Sequence, residues 1–255
     1  MIPKIIHYCW LSDNPYPSDL VKYMSTWKEK LPDYEFRLWN FDRFDKSSSL
    51  WVQQAFDNKK YAFAADYIRL FAVYNYGGIY MDMDMEVLKS FDDFLDQKVM
   101  IAYESEERTG LEAGCFGAEK GNSFIKDCLS HYAGRTFIKS DGSFDILPLP
   151  KIMASFLPSN PDVVPDDWHL FTNKSYKTGS VITIEKSYTI HHFAGSWTSV
   201  AQQNFNRHRN YFIERFGSKT GYILSLPFLL SWQLKEVGFK ETLIKALNKI
   251  SRRKR

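Results

Sequence analysis

The sequence is poor in cysteine and has no long apolar run. Its three cysteines, Cys9, Cys115 and Cys128, are odd in number and irregularly spaced. That argues against a disulfide framework and predicts a reducing compartment. No run reaches the roughly 20 apolar residues that a membrane-spanning helix needs. The first residues, Met-Ile-Pro-Lys-Ile-Ile-His, lack the basic start and apolar stretch of a signal peptide. We therefore expect a cytoplasmic protein.

Glycine and proline are too few for a low-complexity chain, at 13 and 10 of 255 residues. Hydrophobic residues make up 44% and charged residues 25%, the ordinary proportions of a globular protein. Aromatic residues reach 16%. This is more than a core requires, and it indicates surfaces that stack on flat or sugar-like ligands.

Positive charge is concentrated at the end of the chain. The whole chain has a formal net charge of +3, but residues 234–255 hold eight Lys/Arg against two Asp/Glu. The remainder is therefore mildly acidic, which argues against nucleic-acid binding. We predict a body over residues 1–217 and an amphipathic, basic helical tail over 218–255. The tail either packs on the body or lies on the inner face of the cell membrane, attracted by anionic lipid.

The first forty residues show a strand, helix and strand. Lys4 to Trp10 is a mostly apolar run typical of a buried strand, and Tyr34 to Trp39 alternates like a second strand. Between them, Ser18 is a predicted N-cap, and apolar residues at helical spacing predict a helix that ends at Pro32. This pattern indicates a βαβ unit and a largely parallel sheet. The apolar helical residues are Leu20, Met24, Trp27 and Leu31.

A second helix leads into an acidic strand. The apolar period from Phe63 to Tyr74 predicts the helix, and Gly77-Gly78 supplies its left-handed end. Ile79 to Val87 then alternates strictly and predicts one strand. Further along, we predict strands over 99–103 and 181–193 (the latter a hairpin around Glu185-Lys186), a helix over 122–132, loops with short helices over 136–167, and helices from about residue 200.

The acidic strand is a candidate metal site. Asp82, Asp84 and Glu86 would lie on one face about 7 Å apart, where neighbouring charges repel by roughly 2 kcal/mol. A sheet tolerates that repulsion if the face is fully wet or if it binds a cation. Carboxylates of this kind suit Mn²⁺ or Mg²⁺. The alternative is a solvent-facing strand with three exposed acids.

Two further clusters have both a structural and a functional interpretation. Asp66 and Arg69 are spaced i, i+3 on the second helix, and form either a surface ion pair or a site for ligand hydroxyls and an oxyanion. His191 and His192 point to opposite faces of a strand, so at most one faces the acidic strand. That histidine completes a metal shell or is a core histidine. Ser196 and Trp197 offer donors to phosphate, or serve as a helix cap and a core ring.

These clusters together resemble a known family. The sequence resembles the DXD-motif glycosyltransferases of the sugar-binding-region group, which includes bacterial capsule and polysaccharide transferases and the fungal initiating mannosyltransferase, and distantly the clostridial glucosylating toxins. The resemblance spans roughly the first 200 residues. It rests on three segments: IPKIIHYCW (2–10), AADYIRLFAVYNYGGIYMDMD (64–84) and IHHFAGSW (190–197).

The resemblance implies an α/β fold of GT-A type, Rossmann-like, with a mostly parallel sheet flanked by helices and the nucleotide at the carboxyl ends of the strands. It implies that Trp10 stacks on the base of the nucleotide, and that Asp66 and Arg69 hold the donor sugar and its phosphate. Asp82 would reach the ribose and the metal, and Asp84 would bind the metal directly.

It further implies a histidine ligand, for which we choose His191 over His192, and donors to the β-phosphate from Ser196 and Trp197. The expected cofactor is Mn²⁺ or Mg²⁺, and the expected donor is a UDP-linked hexose (galactose, glucose or an N-acetyl form), with GDP-mannose left open. The expected acceptor is a saccharide, including a lipid-linked intermediate of capsule or surface polysaccharide.

No carboxylate pair suggests a hydrolase-type nucleophile and acid, so we expect a hexosyltransferase that retains the anomeric configuration. Two other functions compete. A non-catalytic carbohydrate-binding module would explain the aromatic residues but not the acidic strand. A metal-dependent phosphatase with Asp82 as nucleophile would normally have Gly and Ser/Thr after the second aspartate, where this chain has Met85-Glu86.

Overall fold

A computed structural model describes residues 1–175, 180–194, 200–236 and 238. The strands are β1 (Ile5–Cys9), β2 (Glu35–Trp39), β3 (Gly78–Met81), β4 (Met85–Val87), β5 (Val99–Met100), β6 (Cys115–Ala118) and β7 (Thr189–His191). The α-helices are α1 (Ser18–Lys30), α2 (Leu50–Asp57), α3 (Tyr61–Tyr76), α4 (Ser123–Ser130), α5 (Leu149–Ser155), α6 (Val200–Phe216) and α7 (Ser218–Glu236).

The central sheet has five strands in the order β2-β1-β3-β6-β5. Strand β1 pairs in parallel with β2 and with β3, whereas β6 is antiparallel to both β3 and β5. Four strands therefore run in one direction, and β6 opposes them. The predicted βαβ unit is present as β1, α1 and β2. The expected α/β fold class, with a mostly parallel sheet flanked by helices, is confirmed.

Helices cover both faces of this sheet, because successive side chains along a strand point to opposite faces and both sets are apolar. Along β3, Ile79 and Met81 point into the core on one face, where Trp27 of α1 is buried. Tyr80 points into the opposite core with the buried side of α3, including Ile68. Strands covered on both faces lack the polar alternation of a surface sheet. This explains why β3 is buried at every position.

Two glycines set the junction between α3 and β3. Gly77 ends the helix with φ 66°, and a Cβ there would lie 2.9 Å from Cδ of Pro3. Gly78 has φ 104°, and its Cβ would lie 2.7 Å from the carbonyl oxygen of Ile5. Both positions need the left-handed region and a close backbone approach. They let β3 enter directly beside β1, as the predicted glycine stop requires.

Other helix ends agree with the prediction only in part. Helix α1 begins at Ser18, but its N-cap is Pro17, which makes no side-chain capping bond, so the predicted Ser18 cap is wrong. Helix α4 is capped by Asn122, whose Oδ1 accepts from the backbone N–H groups of Phe124 and Ile125. Asn and Ser are common N-caps because a short side chain can reach these free donors.

The predicted single strand over 79–87 is wrong. The chain leaves the central sheet after Met81, turns at residues 82–84, and resumes as β4, which pairs with β7 in a separate two-stranded sheet. The turn closes with a bond from the N–H of Met85 to the carbonyl oxygen of Asp82, at 3.0 Å. Met83 and Met85 are both buried, so the apolar spacing continues through the turn and imitates an unbroken strand.

Two other predicted strands are shorter than expected. Only Val99–Met100 of the 99–103 segment and Thr189–His191 of the 181–193 segment are strands. A turn does occur at Glu185-Lys186, where the N–H of Ser187 donates to the carbonyl oxygen of Ile184.

The chain forms two compact units. One contains residues 1–174 and 182–193, and the other contains residues 175–181 and 194–255. In the second unit, α6 and α7 form a helical hairpin, with Gly221 of α7 directly against the backbone of Ile213. The functional division into 1–217 and 218–255 stays a prediction. Among the described residues, no helix has both the length and the apolar character to cross a bilayer.

Candidate active site

The candidate site lies where the parallel strands β1 and β3 end. Trp10 follows β1 and Asp82 follows β3, and adjacent parallel strands deliver their carboxyl ends to the same edge. The N–H of Asp82 donates to the carbonyl oxygen of Gly114 at 2.7 Å. This bond fixes the backbone of Asp82 at the point where the chain turns toward β4.

Three side chains converge at this turn. Candidate ligand atoms of Asp82, Asp84 and His191 all lie within 4.8 Å of one another. Nε2 of His191 lies 3.5 Å from Oδ1 of Asp84. The histidine arrives from β7, whose antiparallel register places it opposite Met85 of β4. The turn that the sequence failed to predict is what brings both aspartates to one point.

These residues fit a divalent cation. Two carboxylates and an imidazole are suitable donors for Mn²⁺. The space beside them depends on Gly114, where a Cβ would lie 2.8 Å from Cε1 of His191 and 3.0 Å from Oδ2 of Asp82. Burial alone would lower the pKa of His191, but the carboxylates of Glu112 and Asp84 outweigh it and raise the pKa to about 9. The site thus attracts positive charge strongly.

The neighbouring histidine faces elsewhere. Nε2 of His192 lies 2.8 Å from Oε2 of Glu86, and its ring stacks on Tyr23 with centroids 3.9 Å apart. Glu86 therefore does not share a face with Asp82 and Asp84, contrary to the single-strand prediction. Of the two adjacent histidines, the structure brings His191 to the aspartates.

Arg69 lies on the other side of Asp82. Its guanidinium contacts Oδ1 and Oδ2 of Asp82 at 3.3 Å, donates to the carbonyl oxygen of Ala113 at 2.8 Å, and lies 3.4 Å from Oδ1 of Asp66. The side chain is almost fully buried, so the surface-pair interpretation of Asp66 and Arg69 is wrong. Among the described residues, Nε of Arg69 has no hydrogen-bond partner.

Burial perturbs both acids beside Arg69. It raises the pKa of Asp66 to about 6, although Arg69 and the backbone N–H of Leu149 oppose the rise. It also raises the pKa of Asp82, against the effect of Arg69. Perturbed carboxyl groups gathered at the carboxyl end of a sheet are typical of functional sites.

Sequence reasoning missed three contributors. Tyr80 donates its hydroxyl to Oδ1 of Asp82 at 2.8 Å, and its ring lies 4.5 Å from Cζ of Arg69. Glu112 is 2% exposed and contacts His191, and Gly114 keeps the space open. The one available signal was a single acid, Glu112, within the apolar run from Leu111 to Ala118.

Three predicted residues are not placed with the cluster. Trp10 is half-buried, donates from Nε1 to the carbonyl oxygen of Asn14, and packs edge-on against Tyr16. Its position at the end of β1 is the predicted one, but its role toward a base stays a prediction. Ser196 and Trp197 lie outside the described residues.

Residues 17–101 match the family described as "Glycosyltransferase sugar-binding region containing DXD motif". The match covers α1, α3 and both aspartates of the turn. The resemblance to the DXD-motif glycosyltransferases is confirmed.

Curated relatives agree with the match. The chain is 31% identical over 128 residues to "Inositol phosphoceramide mannosyltransferase 3" of Schizosaccharomyces pombe. This alignment covers 49% of this chain and 35% of the relative. The chain is also 29% identical over 126 residues to "Initiation-specific alpha-1,6-mannosyltransferase" of Candida albicans, at 44% and 31% coverage. The chain thus spans about a third of the length of these relatives.

A solved structure titled "PaToxG Glycosyltransferase" is similar with a TM-score of 0.49 and 19% identity, covering 62% of this chain and 70% of that one.

Proposed function

We propose that this chain is a metal-dependent hexosyltransferase that uses a nucleotide sugar and retains the anomeric configuration. The observation that carries the proposal is the convergence of Asp82, Asp84 and His191 within 4.8 Å, at the end of β3 and beside Arg69. In open α/β sheets, ligands bind at this edge. The aromatic residues would also suit a carbohydrate-binding module, but they do not account for two carboxylates and an imidazole in this arrangement.

The cation-binding residues in this proposal are Asp82, Asp84 and His191, with Mn²⁺ or Mg²⁺ as the ion. A divalent cation supplies charge neutralisation for the departing diphosphate. Asp82 also accepts from Tyr80 and Arg69, and these contacts fix its orientation. Preorganised groups of this kind need little rearrangement when charge develops on the leaving group.

Arg69 and Asp66 form the donor-sugar side of the site. The guanidinium of Arg69 is held by Asp66, Asp82 and the carbonyl of Ala113, and its planar donors suit a phosphate oxygen. The carboxylate of Asp66 is suited to accept hydrogen bonds from the hydroxyl groups of the sugar. Trp10 at the end of β1 is proposed to stack on the base, and Ser196 and Trp197 to donate to the β-phosphate.

Two lines of support favour different donor sugars. The motif resemblance favours a UDP-linked galactose, glucose or N-acetyl form. The relatives from S. pombe and C. albicans are named mannosyltransferases, which favours mannose. Calorimetry with Mn²⁺ and a panel of UDP-linked and GDP-linked sugars distinguishes these donors.

We propose that the acceptor is a saccharide or a lipid-linked saccharide, as in surface or capsule polysaccharide. The S. pombe relative is named for a different acceptor, an inositol phosphoceramide.

We also propose that α7 lies on an anionic membrane surface on the cytoplasmic side. Ile223, Leu226 and Leu230 are 62%, 41% and 51% exposed, and their spacing of three and four residues puts them on one face of the helix. Tyr222 and Leu224, next to this face, are exposed as well. The following sequence, residues 234–255, is strongly basic. Exposed apolar residues beside basic sequence are typical of interfacial helices.

Vesicle flotation tests the membrane proposal. Vesicles with anionic lipid should carry the full chain upward, and the double variant Ile223→Ser/Leu230→Ser should stay behind. Val164→Ser, at a residue that is 79% exposed in the other unit, is the control. Equal flotation of all three proteins would contradict the proposal.

Release of UDP or GDP from nucleotide sugars without acceptor tests the main proposal. We expect release that requires Mn²⁺ and is lost in Asp84→Asn but kept in Asp96→Asn, a change at an exposed aspartate. Release of inorganic phosphate from simple esters would favour a phosphatase instead. Sugar binding without any turnover would favour a carbohydrate-binding module. Product NMR that shows an inverted anomer would contradict retention.

A further inference from the structure

A buried acid lies directly behind the candidate metal ligand His191. Glu112 precedes β6 and is 2% exposed. Its backbone N–H donates to the carbonyl oxygen of Ala102 at 2.8 Å, which anchors the residue beside β5. A buried acid is rare in proteins unless it is paired. The burial of this carboxylate is therefore explained by the groups that it contacts.

Three donors converge on the Glu112 carboxylate. Oε1 accepts from the N–H of Gly114 at 2.7 Å, and Oε2 accepts from Oγ1 of Thr172 at 2.6 Å. Nδ1 of His191 lies 3.1 Å and 3.2 Å from the two oxygens. Since the hydroxyl and the amide hold the carboxylate from two sides, it presents both oxygens to the imidazole in a fixed position.

The backbone around the histidine is held separately. The N–H of His191 donates to the carbonyl oxygen of Thr172 at 2.8 Å, and Nδ2 of Asn173 donates to the carbonyl oxygen of Thr189 at 2.7 Å. These bonds fix β7 whether or not Glu112 is present. The ring of His191 stacks on Phe193 with centroids 4.1 Å apart, and its Nδ1 is the atom that Glu112 contacts.

We propose that Glu112 is a positioning residue that orients His191 for the cation. Nδ1–H of the imidazole donates to Glu112, so Nε2 is left to face Asp82 and Asp84. Carboxylates placed behind metal-bound histidines fix the ring and its tautomer and make it a better ligand. This inference rests on the proposed function, because it takes Asp82, Asp84 and His191 as the cation-binding residues.

Orientation and charge can be separated by two substitutions. In Glu112→Gln, the amide oxygen can still accept from Gly114 and His191, and the amide NH₂ can donate to the Thr172 hydroxyl. The ring keeps its orientation and loses only the negative charge behind it. In Glu112→Ala, Nδ1 of His191 loses its hydrogen-bond partner. Thr172→Val removes one of the two bonds that hold the carboxylate and leaves its charge.

The experiment titrates the full chain, without nucleotide, with Mn²⁺ alone, and electron paramagnetic resonance measures the bound and free ion at each step. We expect the Kd for Mn²⁺ to rise about tenfold in Glu112→Gln and about a hundredfold in Glu112→Ala, in line with the range for such outer residues. Thr172→Val should show a smaller rise. Glu119→Gln, at a partly exposed acid whose Oε2 lies 3.5 Å from the amino group of Met1, should match the wild type.

The outcomes separate this inference from the proposed function. If wild type binds no Mn²⁺, the metal-dependent function is contradicted, and this inference falls with it. If wild type binds Mn²⁺ and the folded Glu112 variants have the same Kd, only the inference is overturned. A drop in melting temperature with an unchanged Kd would show that Glu112 is merely structural, and would also overturn it.

Discussion

Nε2 of His191 lies 3.5 Å from Oδ1 of Asp84, although the two residues are far apart in the sequence and lie on different elements. The contact exists because β7 pairs with β4 immediately after the Asp82–Asp84 turn. His192, the next residue, is turned away toward Glu86 and Tyr23. This pair of adjacent histidines offers a matched test.

Replacing each histidine should give opposite results. His191→Ala removes a proposed cation ligand, so the Kd for Mn²⁺ should rise about a hundredfold or more, at least as much as in Glu112→Ala, which only disturbs that ligand. His192→Ala removes a contact to Glu86 outside the cluster, and the Kd should stay at the wild-type value. Isothermal calorimetry with MnCl₂ measures both. A larger effect from His192→Ala would mean that the wrong histidine has been assigned.

Gly114→Ala should weaken cation binding without unfolding the chain. The added Cβ would lie 2.8 Å from Cε1 of His191, 2.9 Å from Oε1 of Glu112 and 3.0 Å from Oδ2 of Asp82, so these groups must shift. We expect the Kd for Mn²⁺ to rise about tenfold, as when the support of a metal ligand is disturbed. The same titration measures it.

Gly117→Ala is the contrasting variant. Its Cβ would lie 2.8 Å from Cγ1 of Ile79 and 3.0 Å from the carbonyl oxygen of Gly78, inside the sheet. Overpacking of this kind costs about 1–3 kcal/mol of stability, and urea unfolding should detect that loss while the folded protein keeps its Mn²⁺ affinity. Equal Mn²⁺ affinities in the two variants would show that Gly114 does not border the site.

Arg69→Lys should lower turnover although the charge is kept. Lysine cannot reach Asp66, Asp82 and the carbonyl of Ala113 at once, as the guanidinium does. Losing one hydrogen bond to a charged group costs about 1.5–3 kcal/mol, so nucleotide release should fall about tenfold or more. Arg37→Lys, which alters an exposed pair with Glu35, should leave release unchanged. Similar rates for the two variants would remove Arg69 from the site.

Asp66 should make stability depend on pH. Its pKa is raised from 3.8 to about 6 by burial, so between pH 5 and 7.5 the folded chain releases a proton that the unfolded chain has already lost. The free energy of unfolding should therefore fall by about 1.4 kcal/mol over that range, relative to Asp66→Asn. Urea unfolding of both proteins at the two pH values measures the difference. A difference that does not change with pH would contradict the raised pKa.

The βαβ unit and α3 could be predicted from the sequence because their signals are local. The apolar spacing of α1 and α3, Pro32, and Gly77-Gly78 each act within a few residues. The break after Met81 could not be predicted, since Met83 and Met85 keep the apolar alternation through the turn. The contacts that impose the turn come from Gly114 and from β7, both distant in sequence.

The same division applies to the candidate site. Asp82, Asp84 and Arg69 could be selected by residue type and spacing, and the choice of His191 over His192 required the family resemblance. Glu112 was marked only as a single acid within an apolar run, which indicates no particular role. Its carboxylate acquires a role only because folding brings Thr172 and His191 to it from distant segments, and no periodicity in the sequence records such a contact.

Anomalous diffraction from a crystal soaked in Mn²⁺ and UDP would locate the cation relative to Asp82, Asp84 and His191. We expect a single strong manganese peak at about 2.0–2.2 Å from a carboxylate oxygen of Asp84 and from Nε2 of His191, with Asp82 beside it. A manganese peak elsewhere, with the side chains of Asp82 and Asp84 both turned to solvent, would contradict this prediction.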